Sequence, residues 1–181
     1  MRISRVCLAA AAIVLLASSE ARAQGPAVEG AIGYSFLHDR NTGIDFPFGW
    51  IASIGGNATN WLALVGEIGG NYKKYTAGTA ELSLKMHTFA AGPRLMVPAT
   101  SPVAPYVQLL FGIAHGSADL GVPGASIVVR GTTFLSSLNA GVDFNASQRR
   151  AFRVEFAGRR LADEEESGRQ WRVIGAVVFR K

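Results

Sequence analysis

Residues 87–115 read HTFAAGPRLMVPATSPVAPYVQLLFGIAH, and their pattern decides the fold. From Phe89 to Val97, the residues Phe89, Ala91, Pro93, Leu95 and Val97 fall on one face and Ala90, Gly92, Arg94 and Met96 on the other. From Tyr106 to His115, Val107, Leu109, Phe111 and Ile113 alternate with Gln108, Leu110, Gly112 and Ala114. A period of two is the mark of a β-strand. Pro98 to Pro102 between the runs has the composition of a turn. Each strand has one continuous apolar face, while the opposite faces hold small residues with Arg94 and Gln108. A soluble sheet on a core hides its apolar face. Here the apolar faces read as the outside of a membrane barrel with a polar interior.

The same alternation recurs on both sides. Strands are expected over Ala27–Leu37, Asp45–Gly55, Trp61–Tyr72, Thr79–Val97, Tyr106–His115, Thr132–Asn145, Ala151–Leu161 and Arg169–Arg180. In the second strand Phe46, Phe48, Trp50, Ala52 and Ile54 share the apolar face. The fourth changes phase, with Leu82, Leu84 and Met86 in one register and Phe89 onward in the other. Either a β-bulge near His87 or Thr88 flips the faces, or the first half projects beyond the bilayer, where alternation is not required. The connections after strands one, three, five and seven are mostly long and polar, and Gly116–Gly131 is the longest. The others are short. The predicted fold is all-β: an eight-stranded antiparallel up-and-down transmembrane barrel with both termini in the periplasm and short periplasmic turns. Phe46, Trp61, Tyr72, Tyr106, Phe144, Phe152, Trp171 and Phe179 lie near strand ends, where interfacial aromatic girdles are expected.

Composition agrees. Of 181 residues, 49% are hydrophobic and only 17% charged, an odd balance for a soluble protein. Yet no apolar run after residue 17 approaches the length of a membrane helix. Arg2 and Arg5, the apolar run Val6–Ala17 and Ala21-Arg22-Ala23 form a secretory signal, with cleavage expected before Gln24. The domains are therefore a signal peptide, 1–23, and a barrel, 24–181. Cys7 lies in the signal, so the mature chain has neither disulfide nor thiolate metal site. Removing three arginines and one glutamate with the signal lowers the net charge from +5 to +3. That charge is scattered, which gives nucleic-acid binding little support.

Phe89-Ala90-Ala91-Gly92-Pro93-Arg94-Leu95, a turn, and Pro105-Tyr106-Val107-Gln108-Leu109-Leu110-Phe111-Gly112 resemble the central hairpin of the small outer-membrane beta-barrel domain family. Trp171 to Arg180 is similar to that family's closing strand. The resemblance covers essentially the whole mature chain. It implies a closed barrel of the eight-stranded OmpA and OmpX type in the outer membrane of a diderm bacterium. The implied partners are outer-membrane lipid, lipopolysaccharide and the assembly machinery, and a monomer is expected. The sequence departs from the family at its end, where Arg180 and Lys181 follow the aromatic Phe179 that the assembly machinery reads.

The polar faces carry Glu67, Arg94, Asp143, Arg153, Glu155, Arg159 and Arg172. An eight-stranded barrel is just wide enough for its side chains, and an unpaired buried ion is costly. These seven are therefore expected to form a structural ion-pair network. The corresponding role is structural or interactive, without catalysis, cofactor or metal. Three other readings exist. An arginine-lined passive channel would use the same residues. A soluble lipocalin-like carrier would instead put Val107, Leu109, Phe111 and Ile113 inside. A lipid A hydrolase would use His115-Gly116-Ser117, but the sequence supplies no glutamate at that family's spacing, only Asp119. His38 and His87 are expected to be ordinary solvated residues. Asp163–Glu166 is an acidic loop.

Overall fold

The computed structural model describes residues 28–181 except 79, 98–101, 123–124 and 163–166. The predicted signal peptide and the acidic stretch 163–166 lie outside the described residues. Strands are β1 (Val28–Asp39), β2 (Asp45–Phe46), β3 (Phe48–Asn57), β4 (Leu62–Ala77), β5 (Ala80–Met96), β6 (Val103–Val122), β7 (Ala125–Ser147), β8 (Arg150–Ala162) and β9 (Ser167–Arg180). β2 and β3 both pair antiparallel with β1, and from β3 onward each strand pairs antiparallel with the next in sequence. β9 returns to pair with β1 from Glu29↔Arg180 to Asp39↔Gln170. The two-residue β2 and β3 together make one stave, so the barrel has eight.

Closure sets the tilt. Partners can be followed around the barrel from Gly30 through Ile54, Gly66, Ala91, Phe111, Ser136, Arg160 and Arg169. The circuit ends at Arg40, whose N–H donates to the Arg169 carbonyl. One circuit thus advances ten residues along β1. A stagger of that size on eight strands forces a strand tilt of roughly 40°.

The two faces separate as the alternation requires. Val107, Leu109, Phe111 and Ile113 are 39–47% exposed on the outside. Ile32, Ile54, Leu64, Phe89, Leu138, Phe156 and Val177 extend the apolar belt around the barrel. The lipocalin-like reading fails here, because it needs those four β6 side chains inside. Between the residues of the belt, every second residue faces inward, and most of these are buried.

Four expectations change. β5 runs in unbroken register against β4 from Ala80 to Leu95, so no bulge occurs at His87 or Thr88. Leu82, Leu84 and Met86 simply continue the inward-facing parity beyond the barrel wall. The supposed loops Lys73–Gly78 and Gly116–Gly131 are largely strand. β4 and β5 pair as far as Ala77↔Ala80, and β6 and β7 as far as Val122↔Ala125. Irregularities occur instead between Asn145 and Ser147, where β7 shifts register against β8, and at Pro47, which cannot donate to the ladder. Pairing to β1 slips by one residue there, turning Phe46 inward at 6% exposure and Phe48 outward at 71%. Tyr106, expected in a girdle, is also buried inside.

β4 to β7 therefore stand as a four-stranded sheet beyond the end of the barrel opposite the termini. Among the described residues β8 meets β7 only from Phe134 onward, whereas β7 begins at Ala125. The nine residues of β7 before that point pair, among the described residues, with β6 alone, a length of roughly 30 Å at about 3.4 Å per residue. Gly78, with φ of 63°, makes the β4–β5 turn, where a left-handed conformation suits glycine.

Candidate functional site

Two features stand out: the buried charges inside the barrel and the open sheet at its far end. Inside, the charges form two connected tiers. The tier nearer the termini centres on Glu29, which accepts hydrogen bonds from Arg94, from Arg153 Nη2 at 2.9 Å and from Arg180 Nε at 3.4 Å. Arg153 also grips Asp143 with Nε at 2.7 Å and Nη2 at 2.8 Å, the two-pronged geometry that suits a guanidinium. Arg180 Nη2 reaches the same carboxylate at 2.5 Å. The Tyr106 ring lies between two of these guanidinium groups, 4.4 Å from Arg94 and 4.8 Å from Arg153. Such stacking adds cation–π attraction to the ion pairs. Tyr106 itself crosses Gly141, its partner on β7. A Cβ there would lie 2.5 Å from the ring.

The second tier centres on Glu155. It accepts from the Tyr106 hydroxyl at 2.5 Å, Gln108 Nε2 at 3.1 Å and Asn139 Nδ2 at 2.7 Å. Gln108 also links the tiers, since its carbonyl oxygen accepts from Arg94 Nε at 2.8 Å. Arg172 Nη2 donates to Glu67 at 2.6 Å and lies 3.9 Å from Glu155. Buried polar groups that are satisfied in this way hold one packing arrangement.

Of the seven residues expected in the network, six are joined in it. Arg159 is the seventh. It is 3% exposed, and its Nε, Nη1 and Nη2 all lack a hydrogen-bond partner among the described residues. Sequence reasoning omitted Glu29 and Arg180 from the network, although both were on the inward parity. Their signal was available only through closure, which sets them side by side across β1 and β9.

The histidines are more engaged than their sequence suggested. His38 Nδ1 lies 2.6 Å from Asp45 Oδ1, and its ring stacks on Trp171. Trp50 Nε1 donates to the Tyr72 hydroxyl, which lies 3.1 Å from His87 Nε2. His115 Nδ1 lies 2.7 Å from Thr132 Oγ1. His115 and Ser117 share one face of β6, but among the described residues no carboxylate bonds His115. No group of three or more potential metal ligands occurs among the described residues.

On the far-end sheet, Ile127, Val128 and Val129 are 63%, 45% and 63% exposed. Along this stretch both faces of β7 meet solvent, and the edge turned toward β8 has no neighbouring strand among the described residues. Lys74 and Glu81 pair at 2.9 Å across β4 and β5, and that ammonium holds the Glu81 carboxyl below its ordinary range.

A family model described as outer membrane protein beta-barrel domain matches residues 6–177. No curated protein gives a significant sequence match. Among solved structures, the chain is similar to Ail, the attachment invasion locus protein of Yersinia pestis, in complex with the heparin analogue sucrose octasulfate. That likeness has 17% identity, a TM-score of 0.65, and coverage of 86% of this chain and 100% of the other. Neisserial surface protein A matches at 15% identity and TM-score 0.64, covering 85% and 96%. The N-terminal β-barrel domain of Pseudomonas aeruginosa OprF matches at 16% and 0.56, covering 87% and 100%. At such identities the likeness is one of fold.

Proposed function

The chain belongs to the outer membrane protein beta-barrel family, and from that premise we propose that it is a non-catalytic docking protein of the bacterial outer membrane. Its barrel anchors a β-sheet that stands outside the cell. The observation that carries this reading is the edge of β7 from Ala125 to Thr132, which has no neighbouring strand among the described residues and is flanked by exposed Ile127, Val128 and Val129. An unpaired edge offers a row of backbone donors and acceptors, and soluble proteins usually blunt such edges. Here the edge is long and apolar. It suits the addition of an extended segment from another protein, with main-chain hydrogen bonds giving affinity and alternate side chains giving selectivity. The orientation follows from the termini and short turns, which sit at the opposite, periplasmic end. Lipid and lipopolysaccharide surround the apolar belt.

The interior supports anchoring rather than transport. Arg94, Arg153 and Arg172 are held by carboxylates, and Tyr106 and Gln108 fill the space between them. Their pairing favours a plug over an arginine-lined channel.

The test uses full-length protein in lipid nanodiscs, exposed to a panel of extracellular matrix and serum proteins, with Val128→Pro as the edge-breaking variant. Binding by the wild type that falls at least tenfold in the variant supports the reading. Binding that survives the proline, or no binding to any panel member, counts against it. Folding of the variant is checked by its heat-modifiable gel migration.

A further inference from the structure

Arg159 lies on β8, directly across from Gln170 on β9 and Ser137 on β7, with its side chain in the barrel interior. All three of its nitrogens are buried without a hydrogen-bond partner among the described residues. Arg172 Nε is likewise unpartnered, and Arg172 and Glu67 are the charges that act on Arg159. Glu67 is already engaged by Arg172 Nη2 at 2.6 Å. At the far rim, the Asp39 carboxylate accepts from Gln170 Nε2 at 2.9 Å and from the backbone N–H groups of Asn41 and Thr42. No carboxylate among the described residues hydrogen-bonds Arg159.

The charges count the same way. Among the described residues the buried ionic side chains are Arg94, Arg153, Arg159, Arg172 and Arg180 against Glu29, Glu67, Asp143 and Glu155, an excess of one positive charge. A guanidinium is always protonated at ordinary pH, so Arg159 cannot relieve the imbalance by losing a proton. Leaving it bare inside the barrel costs several kcal/mol.

We propose that the barrel interior binds one small monovalent inorganic anion, of the chloride class, against the Arg159 guanidinium, with Arg172 Nε as a further donor. One such ion balances the excess charge. Its size is limited because the lumen of an eight-stranded barrel is otherwise filled by side chains. The Gln170 carbonyl oxygen, also without a partner, takes a hydrogen bond from water that accompanies the ion. Entry is from the far end, past Asp39, Gln170 and Met86, where Gln170 Nε2 and the Met86 sulfur lie 3.7 Å apart. The ion is a structural counter-ion that completes the plug.

The test follows unfolding of the full-length protein in lipid vesicles, with gluconate replaced stepwise by chloride or bromide at constant ionic strength. A ligand that binds only the folded form stabilises it by mass action. Once chloride exceeds its dissociation constant, each tenfold rise should shift the folded-to-unfolded ratio tenfold, about 1.4 kcal/mol. Arg159→Met, or Arg159→Gln if the former does not fold, should abolish the dependence, whereas exposed Arg130→Met should retain it. Coincident gluconate and chloride curves for the wild type overturn the proposal, as does an unchanged dependence in both Arg159 variants. Crystals of the wild type grown in bromide give a second reading that needs no variant. An anomalous peak beside Arg159 supports the site, and water density alone at that position overturns it.

Discussion

Removing the carboxylate of Glu29 should destabilise the barrel through one identifiable group. Three arginines donate to Glu29, but they do not depend on it equally. Arg153 keeps two bonds to Asp143, and Arg180 keeps one bond to Asp143 and another to Asn145. Arg94 keeps only the neutral Gln108 carbonyl and the face of Tyr106. In Glu29→Gln, then, one guanidinium at 2% exposure loses its carboxylate. Breaking a buried pair from one side costs about 3–5 kcal/mol. The retained amide oxygen puts Glu29→Gln near the lower end of that range, and Glu29→Ala near the upper. Adding Arg94→Met removes the stranded charge, so the double variant should be more stable than the sum of the single effects by about 1–3 kcal/mol. Urea unfolding in lipid vesicles, followed by tryptophan fluorescence and heat-modifiable migration, measures the wild type, the three single variants and the double variant. A single-variant loss below about 0.5 kcal/mol, or simple additivity, would refute the assigned coupling.

Further perturbations test other parts of the structure. Gly141→Ala places a methyl group in the Tyr106 ring and should cost about 1–3 kcal/mol in unfolding, with partial recovery when Tyr106→Leu is added. Leu109→Arg puts a charge on the lipid-facing belt and should cost about 2–4 kcal/mol at mid-depth while reducing folded yield. Deleting residues 117–130 trims the β6–β7 extension outside the barrel. The variant should keep its heat-modifiable migration while losing any docking activity.

Most of the barrel was legible in the sequence because lipid on one side and a polar interior on the other enforce a period of two. The run from Val107 to Ile113 and the inward positions of β8 needed nothing more. Legibility ended where that contrast ended. In Gly116–Gly131 both faces meet water, so the alternation fades, and glycine and small residues look like loop. Backbone pairing between β6 and β7 forms the strands regardless. Phe46 was misplaced because one extra residue beside Pro47 inverts the face, an effect of pairing rather than of hydropathy. The network was legible as a set of inward charges but not as partners. Glu29 and Arg180 are 151 residues apart in sequence and meet only when the barrel closes. Closure also gives Gln108 partners that its place on the polar face does not reveal. By parity it is merely an inward polar residue. In the structure it donates to Glu155 and accepts from Arg94, so Gln108→Glu sets two carboxylates together beside one arginine.

The central claim is that the apolar face of each stave meets lipid while the charges lie inside. Single cysteines at Val107, Leu109, Phe111 and Ile113 test it most directly in intact outer membranes, because the predicted mature chain has no cysteine of its own. All four should react with a lipid-soluble maleimide and resist a charged, water-borne thiol reagent. Equal labelling of the four by the water-borne reagent would contradict the account.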